Sequence, residues 1–292
     1  MVKKKASAGA SKGKPQAKRA RPKAYASAID SKNTTKTRME AFQSSPLDVC
    51  KSDKNLQAAL KVLLDSQEPS EVRQAALRSL QSASFSVVAF EPCRADYTAA
   101  LRQVAEDPDE GLRERALGIL SRNQDSYAQK KLLDGLKKPA EALVSPERAL
   151  QLLSYDSHAG AAKVAREIVE NPPSPAAKRE ALRVLSTDIK SVGLFEKCLR
   201  DKTEDAEVRQ LSATALHALQ PDKLQAHARE IILDPAEDNE MQTMCLTALA
   251  NFGDQATYAQ DEGLKKRVQK LTEAAPAGLH RAAAQFIKKY GT

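Results

Sequence analysis

A ten-residue segment, written seven times with variations, limits what this chain can fold into. Glu71–Leu80 lines up with Gly111–Leu120, with Ala177–Leu185 and with Val208–Leu216; a shorter copy runs Pro146–Leu153, and weaker ones begin at Met241 and Leu279. The equivalent position falls at 72, 112, 145, 177, 208, 241 and 279, in steps of 40, 33, 32, 31, 33 and 38. A period of about 34 residues accommodates two short helices and two turns. Such a unit cannot cover its own apolar side, so consecutive units must bury it against one another.

The stretches ahead of each copy supply the partner helices. Leu56-Ala59-Leu60-Leu63-Leu64, Tyr97-Leu101-Val104, Tyr127-Leu132-Leu133-Leu136, Ala161-Val164-Ile168-Val169, Val192-Leu194-Leu199, Leu224-Ala228-Ile231-Ile232 and Leu264-Val268-Leu271 keep the three-and-four spacing of one helical stripe. Between the two helices stand Glu68-Pro69-Ser70, Asp107-Pro108-Asp109, Val144-Ser145-Pro146, Pro173-Ser174-Pro175, Glu204-Asp205 and Asp238-Asn239. A Ser, Asp or Asn there predicts an N-cap, because its oxygen accepts from N–H groups that the first turn leaves free.

These segments resemble the HEAT-repeat superfamily, and within it the short repeats of the phycobilisome-lyase type, whose second helix opens on an acidic cap and Val-Arg. Ser70 to Leu80, Asp109 to Leu120 and Asp205 to Leu216 carry the likeness, over about 240 residues. The pattern departs at Arg148, where the helix starts a turn late, and at Gln242 and His280, which replace the expected arginine. The resemblance implies an all-α fold: a right-handed α-solenoid of about six to seven helical hairpins over residues 46–292, with atypical end repeats. Scaffolds, adaptors, inhibitors and some enzymes share this architecture, so it says little of function.

Charge separates the front of the chain from the rest. Residues 1–40 hold twelve Lys or Arg against Asp30 and Glu40, whereas residues 41–292 hold 34 basic and 36 acidic side chains. Few large apolar residues precede Met39, so residues 1–45 are expected to be a disordered, Lys- and Ala-rich basic tail. Ser45 and Pro46 are expected to start a weak capping helix through Leu47 and Val49. No apolar stretch suggests a secretory signal or a membrane span. Cys50, Cys93, Cys198 and Cys245 are too widely spaced for a CxxC motif and are expected to be reduced. A cytoplasmic protein, monomeric when free, is the expectation; with a eukaryotic source, Lys18 to Lys23 would suit nuclear import.

Three sets of basic residues are candidates for contacts. Arg73, Arg113, Lys178 and Arg209 follow the repeat anchor by one position and are expected to form a structural ladder between repeats. Arg78, Arg115, Arg148, Arg179 and Arg183 share the second helices without sharing that position, and are expected on the concave wall, where they form a candidate anionic-partner groove. Glu71, Glu110, Glu114, Glu147 and Glu180 intervene. Lys3, Lys4, Lys5, Lys12, Lys14, Lys18, Arg19, Arg21 and Lys23 in the tail suit electrostatic contact with an acidic protein or a phosphate backbone. Tyr25 is the one aromatic among residues 1–40, so base stacking is not indicated.

No catalytic constellation is found. His158, His217, His227 and His280 fall in four separate segments, with no HExxH, nucleophile elbow or glycine-rich phosphate loop. His217 and His227 flank the Pro221 turn and are the closest pair in sequence. No catalytic residue, metal or cofactor is therefore expected. The leading expectation is a non-enzymatic scaffold or adaptor that binds another protein on its concave surface. The alternatives are a nucleic-acid binder using tail and groove, and a HEAT-scaffold enzyme of lyase or DNA-glycosylase type. The last lacks the aromatic residues that would cradle a damaged base.

Overall fold

The computed structural model describes residues 24–156 and 160–291, and no strand occurs among them. The chain divides into two compact units, Met1–Val104 and Ala105–Thr292. The fold is an all-α solenoid of paired helices.

The first unit contains α1 (Ala24–Ile29), α2 (Thr35–Ser44), α3 (Asp53–Leu64), α4 (Ser70–Ser84), α5 (Val87–Phe90) and α6 (Arg94–Val104). Helices α1 and α2 form a hairpin, as do α3 and α4; α1 packs on α3 and α2 on α4. This corrects the boundary expected at residue 45. Residues 24–44 are not tail but one more repeat, with Tyr25, Ala28, Ala41 and Phe42 buried and the two rings edge to face at 6.3 Å. Aromatic area offsets the ordering entropy that the sparse apolar content of residues 1–45 was expected to leave unmet. The segment expected as a capping helix is a 3₁₀ turn, Pro46–Lys51, with Val49 buried.

The second unit contains α7 (Glu110–Arg122), α8 (Ser126–Lys137), α9 (Pro146–Leu153), α10 (Ala161–Glu170), α11 (Pro175–Leu185), α12 (Val192–Arg200), α13 (Ala206–Leu219), α14 (Pro221–Leu233), α15 (Asn239–Phe252), α16 (Gln255–Ala259), α17 (Glu262–Ala274) and α18 (Ala277–Tyr290). Its hairpins are α8–α9, α10–α11, α12–α13, α14–α15 and α17–α18, and the inner layer stacks α7 on α9, α9 on α11, α11 on α13, and α15 on α18. Outer helix α10 shows why the sequence folds this way: Val164, Ala165, Ile168 and Val169 are all buried on one stripe. The repeat anchors Val72, Leu112, Ala177, Val208, Met241 and Leu279 are each the third residue of an inner helix and each buried.

Caps fix where the inner helices begin. Asp109 accepts from Leu112 N at 2.8 Å, Ser174 from Ala177 N at 3.0 Å, Asp205 from Glu207 N at 2.9 Å, and Asp238 from Glu240 N at 2.8 Å. Helices α4 and α18 are exceptions, opening on Pro69 and Pro276 without a side-chain cap. Between α16 and α18, Tyr258, Phe286 and Tyr290 pack together, and the Tyr290 hydroxyl lies 2.7 Å from Leu249 O. Gly253 permits that approach, since a Cβ there would stand 2.7 Å from the same hydroxyl.

Candidate interaction surface

Arginines on the inner helices divide by depth. In the first unit Arg73 Nε donates to Leu63 O at 2.9 Å, and in the second Arg209 Nε donates to Leu199 O at 2.9 Å. Both acceptors are the second-last residue of the preceding outer helix, where a carbonyl has no partner of its own. Arg209 then grips Glu237 through both terminal nitrogens, at 2.7 and 2.8 Å. The Arg209 hydrogen bonds hold the Glu237 carboxyl below its ordinary range, and Glu237 in turn raises Arg209. Lys178 pairs with Glu204. Arg113 finds carbonyls only: Leu143 O at 2.7 Å and Asp107 O at 2.8 Å.

Arg38 belongs to this row and was missed. It is the fourth residue of α2, as Arg73, Arg113, Lys178 and Arg209 are of their helices. Its Nε donates to Ala28 O at 3.0 Å and its fork to Glu68 at 2.5 and 2.8 Å. The signal was present: Glu68 immediately precedes the first residue flanking α4, as Glu204 and Glu237 do for α13 and α15. Thr37 in the anchor position hid it.

The groove candidates lie elsewhere. Arg78, half-buried on α4, belongs to the first unit; Arg115, Arg148, Arg179 and Arg183 belong to the second. Glu207 of α13 collects two of them, Arg179 Nε at 3.0 Å and Arg183 Nη2 at 2.6 Å, and Arg183 also meets Glu180. Arg148 lies 3.9 Å from Glu114 and donates to Gln151 at 3.2 Å. Arg115 is exposed on α7 and also engaged. The inner face of α7, α9, α11 and α13 is thus a mosaic of both signs. The tail residues Lys3, Lys4, Lys5, Lys12, Lys14, Lys18, Arg19, Arg21 and Lys23 lie outside the described residues, as does His158.

The other histidines do not converge. His217 stacks on Phe252, ring centroids 4.5 Å apart, while His227 Nε2 stands 3.0 Å from Glu196 Oε1. Hydrogen bonds from Lys223 and His227 lower the Glu196 pKa. Among the described residues no group of three His, Cys, Asp or Glu side chains is placed to hold a metal, and no helix is long and apolar enough to cross a membrane.

Two features had only faint signals in the sequence. The late start of α9 leaves a cavity of about 580 Å³ walled by Leu132, Leu136, Leu143, Val144, Val164 and Ile168. Gly135 lets the 138–145 loop close over it, a Cβ there standing 3.0 Å from Ala142 Cα. Exposed apolar side chains also sit at inner-helix C-termini: Phe85 after α4, Tyr155 after α9, Ile189 beyond α11 and Phe252 ending α15.

No family model matches the chain, and no curated protein matches it. Several solved chains are similar to this one. Human deoxyhypusine hydroxylase in complex with glycerol has 15% identity and a TM-score of 0.36, covering 84% of this chain and 99% of that one. The complex of CpcE and CpcF of phycocyanin lyase from Nostoc sp. PCC7120 has 14% identity and a TM-score of 0.25, covering 99% of each chain. The expectation that the chain is not an enzyme is corrected: one similar structure is a hydroxylase and the other a lyase complex.

Proposed function

We propose that the chain is a protein-binding α-solenoid of the short HEAT-repeat kind, with the inner face of α7, α9, α11 and α13 as its contact surface. The observation that carries this is the depth of the charges. Arg209 and its glutamate are 5% and 4% exposed, committed to the fold, whereas Arg183 and Glu207 are 43% and 47% exposed. Only the second kind can exchange partners. Exposed Arg–Glu pairs contribute about 0–1 kcal/mol, so trading them for a partner's charges costs little stability and gives register and specificity. A phosphate backbone instead requires a surplus of cations. Glu114, Glu180 and Glu207 offset Arg148, Arg179 and Arg183, which favours a protein partner carrying both signs over a nucleic acid. The tail adds a sequence-independent attraction to acidic partners in the same reading.

Affinity capture from the native cell with the wild-type chain and with Arg179→Glu/Arg183→Glu tests it. A bound protein that the wild type retains and the equally stable variant loses is the expected result. A chain lacking residues 1–23 is expected not to bind duplex DNA; binding that weakens steeply with salt would shift the reading to nucleic acid.

A further inference from the structure

Four exposed apolar side chains of the first unit gather at one end of its helices. Phe85 follows α4 and Val87 and Val88 open α5, at 78%, 64% and 90% exposed, and exposed Leu47 lies in the 3₁₀ turn Pro46–Lys51. Chain direction puts them together. The α3–α4 hairpin returns the end of α4 to the level at which α3 begins, and the Pro46–Lys51 turn, which leads into α3, packs on both helices. Leu64, the other exposed large apolar residue described in this unit, lies at the far end of α3. The basic tail joins at the near end. Helix α1 runs in the same sense as α3, since the Tyr25 hydroxyl donates to Asn55 O at the start of α3. Arg38 on the first turn of α2 donates to Ala28 O near the close of α1 and to Glu68 beyond the far end of α3. Residues 1–23, with nine Lys or Arg and no Asp or Glu, therefore enter the fold at the end that carries Phe85, Val87 and Val88. We propose that this end of the first unit is a peripheral membrane-binding surface: the apolar turn enters the headgroup boundary of an anionic phospholipid layer, and the tail's cations pair with the lipid charges.

A lipid surface fits these features better than a folded partner does. Side chains as exposed as Phe85 and Val88 protrude with little of the protein around them, and a bilayer accepts such a wedge without a matching shape. Charge selects the lipid. The ion pairs at this end cancel, Lys51 with Asp48 at 2.5 Å and Arg94 with Glu91 at 2.9 Å, so the attraction comes from the tail. Each Lys or Arg next to an anionic leaflet adds to binding, and the effect fades within a Debye length. Attachment at this end keeps the tail within reach of the lipid that the wedge enters. Either signal alone gives weak, reversible attachment, and the two together hold the chain at the surface. None of these residues belongs to the inner-face protein contact proposed above, so the two readings stand or fall separately.

The full-length chain is mixed with vesicles of phosphatidylcholine and phosphatidylserine in equal parts, or of phosphatidylcholine alone, and the bound protein is measured by sedimentation. The wild type should bind the mixed vesicles only. Phe85→Ser/Val88→Ser should weaken binding at least about tenfold with an unchanged melting temperature, because both side chains face water. A chain lacking residues 1–23 should also lose at least about tenfold, and added salt should weaken the wild type steeply. The chain contains no tryptophan, so Val88→Trp supplies a single reporter. Its emission should shift to the blue on the mixed vesicles and be quenched by brominated lipid, whereas Leu64→Trp, at the far end of α3, should show neither effect. Wild type that stays in solution with the mixed vesicles would overturn the proposal. So would binding that the tail deletion removes and Phe85→Ser/Val88→Ser leaves intact, or equal shifts from the two reporters. Retention on soluble polyglutamate with the same dependence on Phe85 and Val88, and none on vesicles, would assign the surface to an acidic protein instead.

Discussion

Arg209 and Arg183 sit on adjacent inner helices, and each meets a glutamate of a neighbouring element, but one is a structural part and the other a surface one. Arg209 satisfies an orphan helix carbonyl and a buried carboxylate together. Arg183 shares Glu207 with Arg179 in water. Burial, and not residue type, separates the charges that a partner can recruit from those that the fold already uses. Once the fold is known, helix position predicts that depth: the fourth residue of an inner helix points between repeats, whereas Arg179 and Arg183 point outward.

That contrast can be broken most severely at the first hairpin. Deleting residues 1–44 removes Arg38, Tyr25 and Phe42 and strands Glu68; the loss should reach at least about 3–5 kcal/mol, the range for breaking one buried pair, by chemical denaturation. Deleting residues 1–23 should leave the melting temperature nearly unchanged. Next in size, Glu237→Ala or Arg209→Ala should each cost about 3–5 kcal/mol, while Arg209→Met/Glu237→Leu together should recover most of it. A double variant as damaged as the singles would mean that the pair is not acting as a unit.

Acid should separate the two rows more gently. Glu237 has a lowered folded pKa, so its contribution is present above the unfolded value near 4.5 and is lost as pH falls through the folded value. The wild type should therefore lose stability in that acid window, with a shallower slope in Arg209→Ala. Smallest of all, Arg183→Ala should change stability by about 0–1 kcal/mol. A larger loss would place that arginine with the structural row.

The repeat was legible because burial enforces it: the anchors at 72, 112, 177, 208, 241 and 279 recur in the third position of their helices. The caps were legible for the same local reason. The first hairpin was not, since Thr37 stands in the anchor position and its apolar content is concentrated in Tyr25 and Phe42, which reach across space. The groove was half legible. Sequence placed the arginines on inner helices, but Glu207 meeting both Arg179 and Arg183 depends on how α11 lies against α13, a contact without a sequence period.

The buried row also carries a rule for rearranging this chain. Three of the fourth-position cations reach forward to the residue just ahead of the next inner helix's cap: Arg38 to Glu68, Lys178 to Glu204 and Arg209 to Glu237. Where that forward residue is Val144, Arg113 turns to backbone carbonyls; where it is Ala275, Gln242 takes the Asp234 carbonyl. A duplicated or excised hairpin would thus have to be spliced so that every donor still faces a matching acceptor. Joining Arg209's hairpin directly to one headed by Ala275 would leave a guanidinium sealed in without its counter-ion, so the array is modular in shape but keyed in its order.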